Sequence, residues 1–157
     1  MDQPITENLW WVIPGQLAGV RKPTAAEIPA LRAAGVGAIV SVMDDPGNLD
    51  LYAAAEMPHL WLPTTGGTAP TPKQVEQFRQ FVEAETAQAH GVAVHCTSGR
   101  RRTGTLLAAY LIVTGTSPEA ALDQILRANP QVELREAQLA FLRGLSEDTD
   151  SEPSLKN

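Results

Sequence analysis

One segment constrains the fold more than any other, because three kinds of sequence follow each other in it without interruption. A β-branched run covers residues 92–94, and a strongly apolar stretch covers residues 103–113 and stops before Gly115. The first is typical of a buried strand, and the second of a buried helix with glycine at its end. The polar loop that joins them consists of His95, Cys96, Thr97, Ser98, Gly99, Arg100, Arg101, Arg102 and Thr103. The chain is therefore expected to turn sharply here from a strand into a helix.

The rest of the chain alternates between similar short strands and amphipathic helices. Strands are predicted over residues 10–13, 38–42 and 59–62, and helices over residues 24–34, 71–90, 117–129 and 134–145. This alternation predicts an α/β fold, a three-layer sandwich with a mainly parallel central sheet of four to five strands flanked by helices. A single domain is expected over residues 1–145, followed by an acidic, disordered tail over residues 146–157.

The charge balance limits the partners of this chain. It carries 18 acidic and 12 basic side chains, a formal net charge of −6, with one local cluster of arginines at positions 100–102. An acidic body of this kind argues against binding to a nucleic acid duplex and favours one focused anion site. The single cysteine excludes an intramolecular disulfide and suits a reducing compartment. Because we find no signal-like N-terminus and no membrane span, we expect a cytoplasmic location. We also expect a monomer.

The arginine-rich loop has the properties of an anion cradle. A helix N-terminus presents unpaired N–H groups and the positive end of the helix dipole, and a tight loop before it aims further N–H groups at one point. Gly99 lets the backbone turn there without a side chain in the way. Thr97, Ser98, Arg100 and Arg101 complete the predicted phosphate-binding loop, and Arg102 is placed to hold two phosphate oxygens with its planar fork.

The same surroundings act on the thiol of Cys96. Cysteines near helix N-termini and cations have pKa values lowered to roughly 3.5–7.5, against about 8.5 for a free cysteine. Cys96 is therefore expected to be an ionised nucleophile that forms a phosphocysteine, which water then hydrolyses. Thr103 is placed to donate a hydrogen bond to the sulfur, and His95 to support the loop. The competing interpretations are a buried structural cysteine and a nucleotide-binding loop, but the latter requires a lysine that is missing here.

The motif His95-Cys96-x5-Arg102-Thr103-Gly104 resembles the signature of the cysteine-dependent protein tyrosine and dual-specificity phosphatase superfamily. Residues 11–19, 39–42, 74–81 and 105–111 extend the resemblance to small VH1-like (atypical dual-specificity) phosphatases, over about residues 8–145. The resemblance implies hydrolysis of phosphomonoesters without a metal or other cofactor. It also implies that Cys96 is the nucleophile, Arg102 the phosphate clamp and Thr103 the partner of the sulfur.

The proton donor departs from the pattern of that superfamily. Its general-acid aspartate normally lies in the loop after the strand that precedes the long helix, and residues 62–70 contain no carboxylate here. The candidate substitutes are Asp44 and Asp45, in the loop after the second predicted strand, and Glu133, before the last helix. Their alternative roles are a solvated turn for the aspartates and a favourable helix N-terminal charge for Glu133.

Several functions remain open from the sequence. The first is a protein phosphatase with a shallow site for phosphotyrosine or phosphoserine/threonine. Arg100 and Arg101 also suit non-protein substrates such as a phosphoinositide, an inositol phosphate or an RNA 5′-phosphate. The missing aspartate motivates a second class, a phosphate-binding module or weak pseudo-phosphatase without an efficient general acid. A third class, a sulfur transferase or arsenate reductase, explains Arg102 and Thr103 less well.

Overall fold

The computed structural model describes residues 4–97 and 100–155, the last ten of these by their backbone alone. Its strands are β1 Trp10–Ile13, β2 Leu17–Val20, β3 Val36–Ser41, β4 His59–Trp61 and β5 Gly91–His95. Its α-helices are α1 Ile28–Ala33, α2 Leu49–Ala54, α3 Pro72–Thr86, α4 Arg101–Val113, α5 Pro118–Ala128 and α6 Glu136–Leu155. Short 3₁₀ turns cover Ile5–Glu7 and Ala25–Glu27.

The five strands form one mostly parallel sheet in the order β1-β2-β5-β3-β4. The pairs β2–β5, β5–β3 and β3–β4 are parallel, and only β1 runs antiparallel to its neighbour β2. In the central pair, Ser41 of β3 lies opposite His95 of β5. The carboxyl end of β5 is therefore in the middle of the sheet edge from which the cysteine loop leaves. The predicted α/β fold with a mainly parallel sheet is confirmed.

Each face of the sheet is covered by its own hydrophobic cluster. On one face, Val92 and Val94 of β5 pack with residues of helices α3 to α6, including Phe78, Leu106, Ile125 and Leu142. On the other face, Ala93 of β5 packs with residues of helices α1 and α2, including Ile28, Leu31 and Tyr52. The alternation of β5 side chains between two clusters makes this strand the centre of the predicted three-layer sandwich.

Helix α3 starts where its sequence predicts. The Thr71 hydroxyl accepts a hydrogen bond from the Gln74 N–H at 3.1 Å, and the Gln74 side-chain oxygen accepts one from the Thr71 N–H at 3.0 Å. Pro72 occupies the first turn, where a missing N–H costs nothing. The Gln74 amide also donates to the Pro63 carbonyl at 3.0 Å. The cap thus holds the loop over residues 62–70 against α3.

The structure differs from the sequence-based elements in four places. Strand β2 and helix α2 were not predicted, and the predicted helix over residues 24–34 is divided into a 3₁₀ turn and α1. The division occurs before Pro29, which lacks an N–H to continue the ladder. Helix α6 does not stop at residue 145 but continues to Leu155, into the segment for which the sequence predicts a disordered tail. Among the described residues, no helix combines the length and the hydropathy needed to cross a bilayer.

Candidate active site

Cys96 lies directly after β5, at the bottom of a cavity of about 270 Å³. The loop it opens leads into the N-terminus of α4 at Arg101, so the predicted turn from strand to helix is present. Ser98 and Gly99, both predicted to bind phosphate, lie outside the described residues. The cavity is lined, among the residues described, by Gly66, Gly67, Cys96, Arg100, Arg101, Arg102, Gln131 and Glu133.

The sulfur of Cys96 has the hydrogen-bond donor that the sequence predicts. The Thr103 hydroxyl donates to Cys96 Sγ at 3.2 Å. Thr103 is fully buried, and Cys96 is only 3% exposed. An O–H donor and the N-terminal end of α4 both favour a thiolate over a thiol at this position. The contact places a nucleophile and the group that stabilises it as a leaving group side by side.

Three arginine residues line the cavity, and each side chain donates to a different acceptor. Arg102 Nη1 donates to the Thr64 carbonyl at 2.9 Å, Arg100 Nη2 to Gln131 Oε1 at 3.1 Å, and Arg101 Nε to the Glu133 carbonyl at 3.2 Å. Each guanidinium retains further N–H donors beyond these bonds. The cavity therefore combines positive charge with fixed donors, as an anion requires.

A buried chain of hydrogen bonds supports the cysteine loop from below. His95 Nδ1 lies 3.2 Å from the Cys96 carbonyl, and His95 Nε2 lies 2.7 Å from the Tyr52 hydroxyl. A carbonyl only accepts, so Nδ1 carries the proton and the Tyr52 hydroxyl donates to Nε2. Asn48 Nδ2 donates to the Tyr52 oxygen at 3.0 Å and to the Pro23 carbonyl at 2.8 Å. The predicted supporting role of His95 thus has a defined tautomer.

Burial shifts the pKa values of His95 and Tyr52 in the directions that keep both side chains uncharged at pH 7. His95 is completely buried, and this burial lowers its pKa to about 4, helped by the positive charge of Lys22 and opposed by the bond to the Cys96 carbonyl. Burial also raises the pKa of Tyr52 to about 12, although the bond from Asn48 opposes the shift. The network is therefore neutral at pH 7, and His95 is suited to hold the loop rather than to carry protons.

The three proton-donor candidates have different positions. Glu133 lines the cavity, and its Oε1 atom lies 3.7 Å from Arg101 Nη2. Asp44 and Asp45 follow β3 at the same sheet edge as Cys96, since β3 and β5 are parallel. Both are exposed, and Asp45 Oδ1 accepts a hydrogen bond from the Gly47 N–H at 2.8 Å within its own turn. Neither aspartate belongs to the described lining of the cavity.

Six residues of the site were not identified from the sequence: Asn48, Tyr52, Thr64, Gly66, Gly67 and Gln131. Tyr52 lies on the unpredicted helix α2, where the apolar spacing of Leu49, Tyr52 and Ala53 was the available signal. Thr64 and Gln131 contribute a carbonyl and an amide, groups that no spacing rule singles out. Among the side chains that the structure describes, residues 4–97 and 100–145, no three His, Cys, Asp or Glu side chains come together in a metal-binding arrangement.

A family model described as "Polymorphic toxin system, DSP-PTPase phosphatase" matches residues 15–116, from the start of β2 through α4. The chain belongs to this family. The resemblance to the dual-specificity and protein tyrosine phosphatase superfamily that the sequence predicts is confirmed.

Two curated relatives are similar to this chain. Phosphatidylglycerophosphate phosphatase PTPMT2 of Arabidopsis thaliana is 29% identical over 135 residues, which are 82% of this chain and 59% of the relative. Phosphatidylglycerophosphatase and protein-tyrosine phosphatase 1 of Mus musculus is 37% identical over 75 residues, 47% of this chain and 39% of the relative. The chain thus spans less than two thirds of the length of either relative.

Two solved structures share the fold over almost the whole chain. A crystal structure of PTPMT1 superposes with a TM-score of 0.82 at 23% identity, covering 95% of this chain and 99% of that one. The structure of Tk-PTP in its active form superposes with a TM-score of 0.81 at 26% identity, covering 89% of this chain and 97% of that one. The three-layer architecture of this chain is therefore shared with both of these structures.

Proposed function

We propose that this chain hydrolyses phosphomonoesters through a phosphocysteine formed on Cys96. The observation that carries the proposal is the contact of 3.2 Å between the Thr103 hydroxyl and Cys96 Sγ at the bottom of a cavity lined by arginines. The thiolate attacks phosphorus, and the P–O bond to the alcohol breaks as the P–S bond forms. Water then attacks phosphorus and releases inorganic phosphate, while the Thr103 hydroxyl stabilises the departing sulfur.

Arg102 is the proposed clamp for the transferring phosphoryl group. Its bond to the Thr64 carbonyl uses one N–H donor and fixes the guanidinium plane against the loop over residues 62–70. The remaining donors are available for phosphoryl oxygens, whose charge a planar fork holds better than a point charge does. Pre-placed donors of this kind lower the barrier because they need no reorganisation during the reaction.

Glu133 is the proposed proton donor to the leaving oxygen. It is the only one of the three candidate carboxylates on the described cavity wall, where it shares the cavity with Cys96. Its carboxyl group is exposed and is held near Arg101. Protonation of the leaving oxygen is worth about 10²–10⁴-fold in rate and matters most for alkyl alcohols.

The proposed substrate is the head-group phosphate of a phospholipid of the phosphatidylglycerophosphate kind. The names of both relatives support this choice, and the chain covers most of the length of the solved PTPMT1 structure. A second candidate is phosphotyrosine in proteins, which the Mus musculus relative's name also contains. The lack of a carboxylate in residues 62–70 favours it, because a phenol leaves readily without a strong proton donor. Cytoplasmic location and a monomeric state stay predictions.

Replacing the nucleophile tests the reaction itself. We expect the wild-type protein to hydrolyse p-nitrophenyl phosphate without added metal, and Cys96→Ser to lower kcat by more than about 10³-fold, since a serine hydroxyl has no thiolate to offer. Release of p-nitrophenol is measured at 405 nm, with circular dichroism to show that the variant is folded. Turnover that survives Cys96→Ser contradicts the proposal, and phosphate binding without turnover by the wild type identifies a phosphate-binding module instead.

The leaving group identifies the proton donor. Glu133→Gln is expected to lower kcat/KM for an alkyl phosphate by about 100-fold and for p-nitrophenyl phosphate much less, because p-nitrophenolate needs little protonation. Asp44→Asn and Asp45→Asn serve as matched variants, and a loss confined to either of them assigns the donor to that aspartate and rules out Glu133.

A further inference from the structure

The loop over residues 62–70 forms part of the catalytic cavity without a charged side chain. Gly66 and Gly67 line the cavity, and the Thr64 carbonyl accepts the hydrogen bond from Arg102 at 2.9 Å. The loop contains no Asp, Glu, Lys or Arg. Its contribution to the site is therefore made by its backbone, and that contribution depends on how the backbone is held.

The first part of the loop is fixed by the sheet and by α3. The Thr64 N–H donates to the Val42 carbonyl at 3.2 Å, and Thr64 is only 5% exposed. The Gln74 amide donates to the Pro63 carbonyl at 3.0 Å. The carbonyl group that Arg102 contacts therefore belongs to a buried stretch of backbone with fixed neighbours.

The second part of the loop is a glycine turn. Gly66 is exposed, Gly67 has a φ of +80°, and neither has a side chain that could pack. The Thr68 N–H and the Thr68 hydroxyl both donate to the Thr65 carbonyl, at 3.1 Å and 2.6 Å. Because adjacent glycines have more conformational freedom than other residues, a turn of this kind keeps one shape only when it is held from outside.

Gln138, in the first turn of α6, holds the glycine turn from outside. This residue is completely buried. Its Oε1 atom accepts a hydrogen bond from the Arg135 N–H at 2.9 Å, and its Nε2 atom donates to the Thr68 carbonyl at 3.1 Å. The amide fits in one orientation, since an N–H group only donates and a carbonyl only accepts. One buried side chain thus joins the start of α6 to a residue 70 positions earlier in the chain.

We infer that Gln138 is a positioning residue for the transfer of the phosphoryl group. The inference rests on the proposed function, because it requires Arg102 to hold that group. Gln138 bonds to Thr68, and Thr68 bonds to the Thr65 carbonyl. Thr65 adjoins Thr64, whose carbonyl accepts from Arg102. Gln138 therefore acts on the clamp and on the cavity wall through the backbone of this loop.

Gln138 also contributes to the start of α6, and substitutions separate the two uses of its amide. The Arg135 N–H is one of the donors that a helix start leaves without a partner. Gln138→Glu keeps an oxygen for this N–H, as glutamate does in a capping box, and loses the N–H that donates to Thr68. Gln138→Met fills a similar volume with a flexible apolar side chain and loses both bonds.

Steady-state kinetics with p-nitrophenyl phosphate test the inference. At pH 8 both variants are expected to lower kcat about tenfold with a smaller change in KM, because small displacements of positioned groups cost up to about 10²-fold in rate. At pH 5 the loss in Gln138→Glu, relative to the wild type, is expected to become smaller. A buried carboxyl group regains its proton readily and then donates to the Thr68 carbonyl again. The relative loss in Gln138→Met is expected to be the same at both pH values.

A matched control separates positioning from capping. Ser117→Ala removes a cap from the start of α5, where Ser117 Oγ accepts from the Ala120 N–H at 3.2 Å, and Ser117 is not part of the described cavity wall. This variant is expected to lower the melting temperature and to leave kcat unchanged. Circular dichroism shows which variants are folded at the assay temperature.

The outcomes distinguish the inference from the proposed function. An unchanged kcat in Gln138→Glu at pH 8, or a loss in this variant that is equal at pH 8 and pH 5, overturns the inference and leaves Gln138 as a helix cap. If one Gln138 variant fails to fold, the kcat of the other decides. Absence of p-nitrophenyl phosphate turnover by the wild type overturns the proposed function, and the inference with it.

Discussion

At the scale of the residue, His95 shows how a buried polar side chain is constrained by its two neighbours. Both ring nitrogens are already used, one toward the Cys96 carbonyl and one toward the Tyr52 hydroxyl. Adding a proton to Nε2 would oppose the Tyr52 O–H donor and place a charge where no water reaches. This explains physically why burial lowers the pKa of His95 to about 4.

The lowered pKa of His95 predicts a dependence of stability on pH. Between about pH 6.5 and pH 4 the unfolded chain binds a proton at this position and the folded chain does not, so the free energy of unfolding falls as the pH falls. The loss is on the order of 3 kcal/mol across that window. It is measured by urea denaturation at a series of pH values. His95→Gln is expected to flatten the slope.

If the free energy of unfolding of the wild type does not change between pH 6.5 and pH 4, the neutral state assigned to His95 is contradicted.

A second group, Glu27, affects stability at lower pH, and its effect must be separated from that of His95. The Arg21 guanidinium beside Glu27 lowers the pKa of that carboxyl to about 2, so its contribution is present above about pH 4.5 and is lost between pH 4.5 and 2. The two windows do not overlap above pH 4.5, where the effect of His95 is read.

The residues of the site divide clearly into those that the sequence revealed and those that it did not. Cys96, Arg102 and Thr103 lie within eight positions of each other, so their spacing alone predicts the anion-binding loop and the contact between Thr103 and Cys96. Tyr52 reaches His95 from 43 positions away, and only the pairing of strands brings them together. Asp44 and Asp45 lie at the sheet edge that the sequence predicts, and the bond from the Gly47 N–H to Asp45 Oδ1 agrees with the turn that was the alternative role of these aspartates.

At the scale of the element, the centre of the sheet depends on close approach of backbones. Gly91, the first residue of β5, is buried, and a Cβ atom there would lie 2.5 Å from the Gly35 carbonyl oxygen and 2.8 Å from Trp11 Cη2. A backbone oxygen has little freedom to move away. Gly144 in α6 is the opposite case, because a Cβ atom there would meet nothing within 4 Å.

Alanine substitutions at the two glycines are expected to change the free energy of unfolding in opposite directions. Gly91→Ala is expected to lower the free energy of unfolding by about 1–3 kcal/mol, because the strand must shift to avoid the contact. Gly144→Ala is expected to raise it by about 0.5–1 kcal/mol, because glycine is a poor helix former and the site is open. Thermal and urea unfolding measure both. A destabilising Gly144→Ala, or a neutral Gly91→Ala, would show that the packing at that position is not as described.

Sequence patterns predict an element correctly where its capping residues, its prolines and its apolar spacing all indicate the same structure. Helix α3 has its cap, its first-turn proline and its apolar spacing in one stretch, and it starts where predicted. Strand β2 contains Gly19, a weak strand former, because the ring of Trp10 packs over that position and leaves no space for a side chain. A tertiary contact therefore determines the residue at this position, and the β-propensity of Leu17–Val20 does not predict the strand.

At the scale of the whole molecule, the site joins segments that are distant in the sequence. The three arginines of the cavity donate to Thr64, Gln131 and Glu133, and His95 is connected through Tyr52 and Asn48 to Pro23. These contacts involve both layers of helices and the central strand of the sheet. An anion bound by the arginines therefore stabilises the folded chain as a unit.

Anion binding is expected to raise the melting temperature. Orthovanadate, a phosphate analogue, at 100 times its Kd adds about 2.7 kcal/mol to the free energy of unfolding, which corresponds to about 5–10 °C for a chain of this size. Differential scanning calorimetry measures the shift. Arg102→Ala is expected to abolish it, whereas Arg127→Ala, at an exposed ion pair with Asp123, is expected to keep it. An equal shift in both variants would place the anion elsewhere.

The position of the single cysteine has a practical consequence for anyone who handles this protein. Because the only sulfhydryl of the chain is at the bottom of the catalytic cavity, a thiol-alkylating reagent has one possible target in the folded molecule. The number of covalent adducts per chain then measures the fraction of chains in which Cys96 is reactive. A negatively charged reagent such as iodoacetate enters by the route that a phosphate ester uses, so protection against labelling reports the occupancy of the site by any colourless ligand.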